Sequence, residues 1–169
     1  TPGKMDDGVS CYADAYSLMT EDLDILFVSL PNNLAPEITI EGLKRGCHVF
    51  CEKPPGRNLE DIISVIHVER NHPNQKLKYV FNHRYHDSVT AAMKLIKSGK
   101  LGDLINLRGV YGKSKIISYA SDWRTERSIA GGGILLDQGI HLLDMMRLVA
   151  GEFTEVYSFI SNDYWGHDI

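Results

Sequence analysis

Three short apolar runs, placed at regular intervals in the first half of the chain, limit its possible folds most strongly. DILFVSL (Asp24 to Leu30) is nearly continuous in apolar residues, which is typical of a strand buried on both faces of a parallel sheet. HVFC (His48 to Cys51) and KLKYVFN (Lys76 to Asn82) have the same strand-like composition. We therefore predict three strands in this half.

Helical patterns separate these strands. Pro36 begins one segment and Gly46 follows its end, as expected of a first-turn proline and a C-terminal glycine. Asn58 is a typical N-cap for the next segment, LEDIISVIHVERN. Alternating strands and helices at this spacing predict right-handed crossovers and a parallel α/β sheet.

Polar residues follow all three predicted strands, in the stretches PNN, EKPP and NHRY. Pro54 and Pro55 lack the N–H groups that a continuing strand needs, so the second strand should end just before them. Ligands of open parallel sheets bind outside the carboxyl ends of the strands. Glu52 and Lys53 should lie at that edge, although a lysine in a turn is normally only solvated.

The second half mixes helical and alternating patterns. Asp87 to Ser98 is helical in pattern and precedes Gly99, and Leu104 to Gly112 alternates as a strand of a half-exposed sheet does. Ile134 to Gly151 predicts one further helix, and Glu155 to Asn162 predicts a last strand.

Within the helix predicted from Ile134, Asp137 and His141 stand four residues apart, which puts both side chains on one face of an α-helix. A carboxylate beside an imidazole can orient a general base. The plainer alternative is a surface ion pair or a buried core histidine, and Asp144 competes as the partner of His141. Gly131 to Gly133 do not form a dinucleotide fingerprint, because G-x-G-x-x-G after a strand is absent.

Composition excludes several classes of protein. The 169 residues carry 18 basic and 22 acidic side chains, a formal net charge of −4, and no block of like charge that predicts binding to nucleic acid or a membrane surface. The 3 cysteines predict buried free thiols in a reducing compartment, and no apolar run spans a bilayer. We expect a cytoplasmic protein, and the start at Thr1 suggests a fragment.

Taken together and in this order, DILFVSLPNN, CHVFCEKP, FNHRY, DWR and GGGILLDQGIHLLD resemble the glucose-fructose oxidoreductase, inositol dehydrogenase and rhizopine catabolism (Gfo/Idh/MocA) family. The resemblance implies part of a Rossmann domain that binds NAD or NADP over residues 1–84. It also implies, over residues 85–169, the start of an α+β domain with a mostly antiparallel sheet. The implied activity is hydride transfer at a sugar or cyclitol hydroxyl carbon by a homo-oligomer at full length.

The same resemblance implies roles for individual residues. The implied catalytic residues are Lys53, Asp137 and His141, and together with Arg84 they are also the implied substrate contacts. The implied cofactor contacts are Leu30, Pro31, Asn32, Glu52, Lys53, Asn82, Trp123 and Arg124. His141 would take the hydroxyl proton while Lys53 stabilises the alkoxide, or the two would exchange these roles.

Two departures from the family pattern leave alternatives open. Ala35 stands where the family often has a histidine, and the first βαβ unit with its glycine fingerprint is absent from the chain. One alternative is a truncated, non-catalytic sugar-binding or assembly module. The other is a metal-dependent sugar enzyme that uses His83, His86 and His141 with Asp137.

Overall fold

The computed structural model of the protein describes residues 9–112 and 123–161. The chain divides between Tyr79 and Val80 into two compact units. The sequence places this boundary after residue 84, whereas in the structure residues 80–84 belong to the second unit. The reason is local, because the turn that follows the third strand packs against a helix of the second unit.

The first unit contains a three-stranded sheet in the order β1-β2-β3, and β1 and β2 are parallel. This confirms the predicted α/β class with parallel strands. The elements in chain order are α1 (Ala15–Leu18), β1 (Ile25–Val28), α2 (Ala35–Lys44), β2 (His48–Glu52), α3 (Leu59–Asn71) and β3 (Leu77–Val80), and only the last residue of β3 falls in the second unit.

The helix ends of the first unit follow the sequence signals. The Asn58 side chain caps α3 by accepting a hydrogen bond of 2.9 Å from the backbone N–H of Asp61. Gly46, two residues after α2 ends, has a φ of +89°, which only glycine adopts without strain. Both predicted boundaries are therefore confirmed, and each has its expected physical cause.

One face of the sheet is buried and the other is exposed. Leu26 and Val49 are paired in register and almost fully buried beneath α2, whereas Phe27 and Phe50 are 71% and 37% exposed. The prediction that β1 is buried on both faces is therefore wrong for the described residues. The helices α2 and α3 pack against each other, as expected where successive crossovers share the usual right-handed sense, and no described element covers the other face of the sheet.

The cysteines divide in the same way. Cys47 and Cys51 are buried free thiols, as predicted, and burial raises the pKa of each. Cys11 is also free but exposed, so the prediction is wrong for this residue. It lies in an irregular segment before α1, outside the core.

The second unit is helical in its described residues. Residues 104–112 and 155–161 form no strand, so both strand predictions are wrong there, and Asn162 lies outside the described residues. A strand requires a neighbour with which to exchange backbone hydrogen bonds, and Ile105 and Val156 remain 90% and 77% exposed. The elements in chain order are a 3₁₀ turn (Asn82–Tyr85), α4 (Asp87–Lys97), a 3₁₀ turn (Trp123–Thr125), α5 (Arg127–Ala130), a π turn (Leu135–Gly139) and α6 (Ile140–Ala150).

The described helices are also short. None of them combines the length and apolar character that crossing a membrane requires.

Candidate active site

The carboxyl ends of β1 and β2 lie at one edge of the sheet, because the strands are parallel with Val28 opposite Cys51. Directly after β1, Leu30 is exposed, Pro31 is half-buried and Asn32 is only 5% exposed. The predicted cofactor loop therefore begins at the edge where α/β proteins bind their ligands. Ala35 then begins α2.

The motif after β2 has the predicted arrangement. Glu52 is the last residue of β2, and its carboxylate accepts a hydrogen bond of 3.3 Å from the backbone N–H of Lys53. The strand ends there, and the peptide bond between Lys53 and Pro54 is cis. Lys53 is half-buried and directly follows β2 at the carboxyl edge of the sheet.

An unsatisfied polar atom lies close to this edge. The side-chain oxygen of Asn33 is buried and accepts no hydrogen bond within the described part of the chain. Buried amide oxygens nearly always have a donor, and a hydroxyl or amide group of a bound ligand would supply one. This edge therefore fits the binding of a polar ligand.

In the second unit, Arg84 forms an ion pair with Asp144 of α6. The guanidinium donates through Nε to Oδ2 at 2.7 Å and through Nη2 to Oδ1, and these bonds raise the pKa of Arg84. The Asp144 side chain is only 7% exposed. The Asp144 carboxylate therefore binds Arg84, and its competition as a partner of His141 stays a prediction. The substrate contact assigned to Arg84 stays a prediction.

Asp137 lies in a π turn instead of the predicted α-helix. The carbonyl of Gly133 accepts hydrogen bonds of 3.0 Å from the backbone N–H groups of both Leu136 and Asp137, and the π turn runs from Leu135 to Gly139. Residues four apart also lie on a similar face in the wider π geometry, so a shared face for Asp137 and His141 stays a prediction. Single π turns are frequent at functional sites.

His141 follows this turn in the first turn of α6 and is only 6% exposed. Its ring lies almost parallel to the ring of His83, with 4.1 Å between centroids and an angle of 20°. Phe81 meets the imidazole edge-on at 6.4 Å, and Tyr111 lies at 6.3 Å. The imidazole therefore sits in an aromatic cluster formed by His83, Phe81 and Tyr111.

A short chain of hydrogen bonds connects this cluster to Asp137. Tyr111 donates its hydroxyl proton to Gln138 Oε1 at 3.4 Å, and Gln138 Nε2 donates to Asp137 Oδ2 at 3.0 Å. Sequence reasoning missed Tyr111 and Gln138 entirely. The position of Gln138 beside Asp137 was the only available signal.

Three further predicted residues remain without a test of their roles. Asn82 is exposed at the start of its 3₁₀ turn. Trp123 and Arg124 are half-buried, with the guanidinium carbon 4.3 Å from the centroid of the indole ring. This distance is typical of a cation–π contact.

The metal interpretation gains no geometric support. His83 and His86 lie near each other, with ring centroids 5.1 Å apart. Across residues 9–112 and 123–161, however, no three His, Cys, Asp or Glu side chains are grouped so as to hold a metal ion.

Two family models match the chain. Residues 4–80 match the model described as an oxidoreductase family with an NAD-binding Rossmann fold, and residues 89–168 match the GFO/IDH/MocA C-terminal domain. The first match covers the sheet and its carboxyl edge, and the second covers the π turn and α6.

Similar proteins include several that act on sugars. Levoglucosan dehydrogenase of Pseudarthrobacter phenanthrenivorans is 32% identical over 83% of this chain and 36% of its own length. The 1,5-anhydro-D-fructose reductase of Ensifer adhaerens is 32% identical over 78% of the chain and 39% of its own length. A solved structure of levoglucosan dehydrogenase with NADH and levoglucosan matches with a TM-score of 0.79 at 32% identity, over 84% of this chain and 39% of that one. The chain thus spans well under half the length of these relatives.

Proposed function

Because the chain belongs to the GFO/IDH/MocA family of oxidoreductases, we propose that the complete protein transfers a hydride between NAD or NADP and a sugar or cyclitol hydroxyl carbon. The observation that carries this proposal is the buried imidazole of His141 directly after a π turn that contains Asp137. Relatives named as sugar dehydrogenases and reductases support the substrate class.

The nicotinamide cofactor, when bound, supplies the carbon that accepts or donates the hydride. The residues that would hold it at the edge of the sheet are Leu30, Pro31, Asn32, Glu52 and Lys53, and the buried oxygen of Asn33 gives this edge an unused acceptor. The remaining proposed contacts are Asn82, Trp123 and Arg124. The NADH complex of the solved relative supports the same class of cofactor.

His141 is the proposed general base. Its Nδ1 is fully buried, so we assign Nε2 as the nitrogen that takes the proton from the substrate hydroxyl and returns it in the reverse reaction. Asp137 would orient the substrate or the imidazole, with its own carboxylate held by Gln138. Because the imidazole is buried, bulk water has little access to the proton that is transferred.

Lys53 is the proposed electrostatic partner of the reacting oxygen. An ammonium group stabilises an alkoxide as negative charge develops on it, and this stabilisation grows as water is excluded. The half-buried position of Lys53 at the strand edge supports the role. Arg84 remains a proposed substrate contact through guanidinium N–H groups that the Asp144 carboxylate does not take.

Two further expectations belong to this proposal. The buried thiols of Cys47 and Cys51 support a reducing compartment such as the cytoplasm. We also expect the complete protein to be a homo-oligomer, which sedimentation analysis would test.

The first experiment is a fluorescence titration of the complete protein with NADH and NADPH, followed by turnover assays with a panel of sugars and cyclitols. Saturable binding and turnover support the proposal. A folded protein that binds neither dinucleotide would refute it and favour the non-catalytic module.

Two variants then separate the proposed roles. His141→Ala should lower kcat about 10²- to 10⁴-fold, the usual contribution of a general base, while cofactor affinity changes little. Lys53→Ala should weaken both cofactor binding and turnover. His67→Ala and Lys44→Ala, which change exposed residues of α3 and α2, are the matched controls. Equal losses of cofactor affinity in the His141 and Lys53 variants would contradict the assignment.

A further inference from the structure

Two neighbouring residues of the 3₁₀ turn contact two residues of α6 that are one helical turn apart. His83 stacks on His141, and Arg84 forms an ion pair with Asp144. His141 and Asp144 are spaced i,i+3, so both lie on the same face of α6. The 3₁₀ turn is therefore attached to this face of the helix at two adjacent points.

The geometry of the first contact is that of a face-to-face stack. The imidazole planes of His83 and His141 are inclined by only 20°, and their centroids are 4.1 Å apart. The outer surroundings of His83 are also aromatic, with His86 at 5.1 Å and Tyr111 at 5.9 Å. Packing thus restrains the ring of His83 as well as the ring that it covers.

This stack restricts the motion that matters for proton transfer. Rotation of the His141 ring about χ2 changes the direction in which Nε2 points, and a flat ring 4.1 Å away blocks that rotation sterically. Proton transfer depends on alignment, since a misplacement of about 1 Å can cost about 10²-fold in rate. A residue that fixes the ring plane therefore acts on catalysis without touching the substrate.

We propose that His83 is a positioning residue for His141, holding the plane of its imidazole through the stack; this proposal rests on the proposed function. The property required of His83 is a flat ring, and its ability to bind a proton or a metal is not needed. Phenylalanine should replace it well. Leucine, which occupies similar space without a plane, should not.

The test uses the complete protein with His83→Phe, His83→Leu and His83→Ala, and His67→Ala as the control histidine. We expect kcat to fall about 10- to 100-fold in the Leu and Ala variants, with KM changed less than about threefold. His83→Phe should stay within about threefold of wild type. If the Ala variant does not fold, the comparison of Phe with Leu decides the matter.

A double-mutant cycle distinguishes positioning from general packing. In a His141→Ala background, His83→Leu should cause no further loss of kcat, because no imidazole remains to be held. A loss of the same size in both backgrounds overturns the proposal. Equal activity of the Phe and Leu variants also overturns it.

A measurement independent of turnover separates this proposal from the proposed function. Diethyl pyrocarbonate should modify the buried His141 slowly in the wild type and faster in His83→Ala, as followed by mass spectrometry. Unchanged protection overturns the stack itself. A wild type that is inactive with every sugar and binds no dinucleotide overturns the proposed function and therefore the catalytic role of the stack. The protection of His141 from diethyl pyrocarbonate would still show in that case whether the stack exists.

Discussion

The ion pair between Arg84 and Asp144 predicts an asymmetric loss of stability. The Asp144 side chain is 7% exposed, and the Arg84 side chain is 35% exposed. Removing Arg84 leaves a buried carboxylate without its cation, whereas removing Asp144 leaves a guanidinium that water can still reach. The two single substitutions should therefore differ, although they break the same pair of hydrogen bonds.

The sizes of the two losses follow from what each substitution leaves behind. Arg84→Ala should lower the free energy of unfolding by about 3–5 kcal/mol, the usual cost of an uncompensated buried charge. Asp144→Ala should cost about 1.5–3 kcal/mol, the usual value of a hydrogen bond to a charged group, because water can still reach the guanidinium that is left. The double variant Arg84→Met, Asp144→Leu should lie within about 1 kcal/mol of the wild type, because it buries no charge.

Urea unfolding of the complete protein gives the free energies, and amide hydrogen exchange in α6 shows whether the loss is local to the second unit. Arg84→Lys is an additional control, since it keeps the charge but loses the two-pronged contact. An Asp144→Ala variant that is less stable than Arg84→Ala would refute the reasoning from burial. A double variant as unstable as Arg84→Ala would also refute it.

Two predictions concern the first unit. A Cβ at Gly42 would lie 2.8 Å from Leu26 Cδ2 and 3.1 Å from Val49 Cγ2. Gly42→Ala should therefore lower the free energy of unfolding, measured in urea, by about 1–2 kcal/mol net, because the cost of overpacking exceeds the gain in helix propensity. Increased stability would contradict this prediction. Hydrogen bonds from Arg57 lower the pKa of Asp61 below 3.8, so the carboxylate stabilises the fold above that pH, and this stabilisation is lost as pH falls through the lower folded value. The stability advantage of the wild type over Asp61→Asn should thus shrink below about pH 4, and a difference that stays constant down to pH 2.5 would argue against this linkage.

Signals that act within a few residues were read correctly from the sequence. The cap at Asn58, the C-terminal glycine at position 46 and the helix predicted from Asp87 to Ser98, found at Asp87–Lys97, depend only on local backbone chemistry. The strand end at Glu52 follows from two prolines in the same way. Such signals also located Lys53 at the carboxyl edge of the sheet.

Properties that depend on distant partners could not be read. Arg84 and Asp144 are 60 residues apart in sequence, and no pattern in a single sequence connects them. The exposure of Phe27 depends on which elements cover its face of the sheet. The apolar composition of β1 is the same whether that face is covered or not. Leu104 to Gly112 has the alternating polarity of a strand, yet these residues form no strand in the structure. Alternation within one segment does not show whether a second strand is available to pair with it.

The π turn is the departure with the clearest bearing on function. The sequence predicts one regular helix from Ile134, but the hydrogen bonding is irregular in the five residues that contain Asp137 and directly precede His141. Single π turns are frequent at functional sites, and here the Asp137 carboxylate accepts a hydrogen bond from the Gln138 amide, whose oxygen accepts one from Tyr111. His141 consequently lies two residues after a π turn within one continuous helical stretch over residues 134–150, buried against His83. The local rule for a regular helix therefore fails around Asp137, whereas local rules place Lys53 correctly, and a functional site is where such a failure is expected in a fold that is otherwise locally consistent.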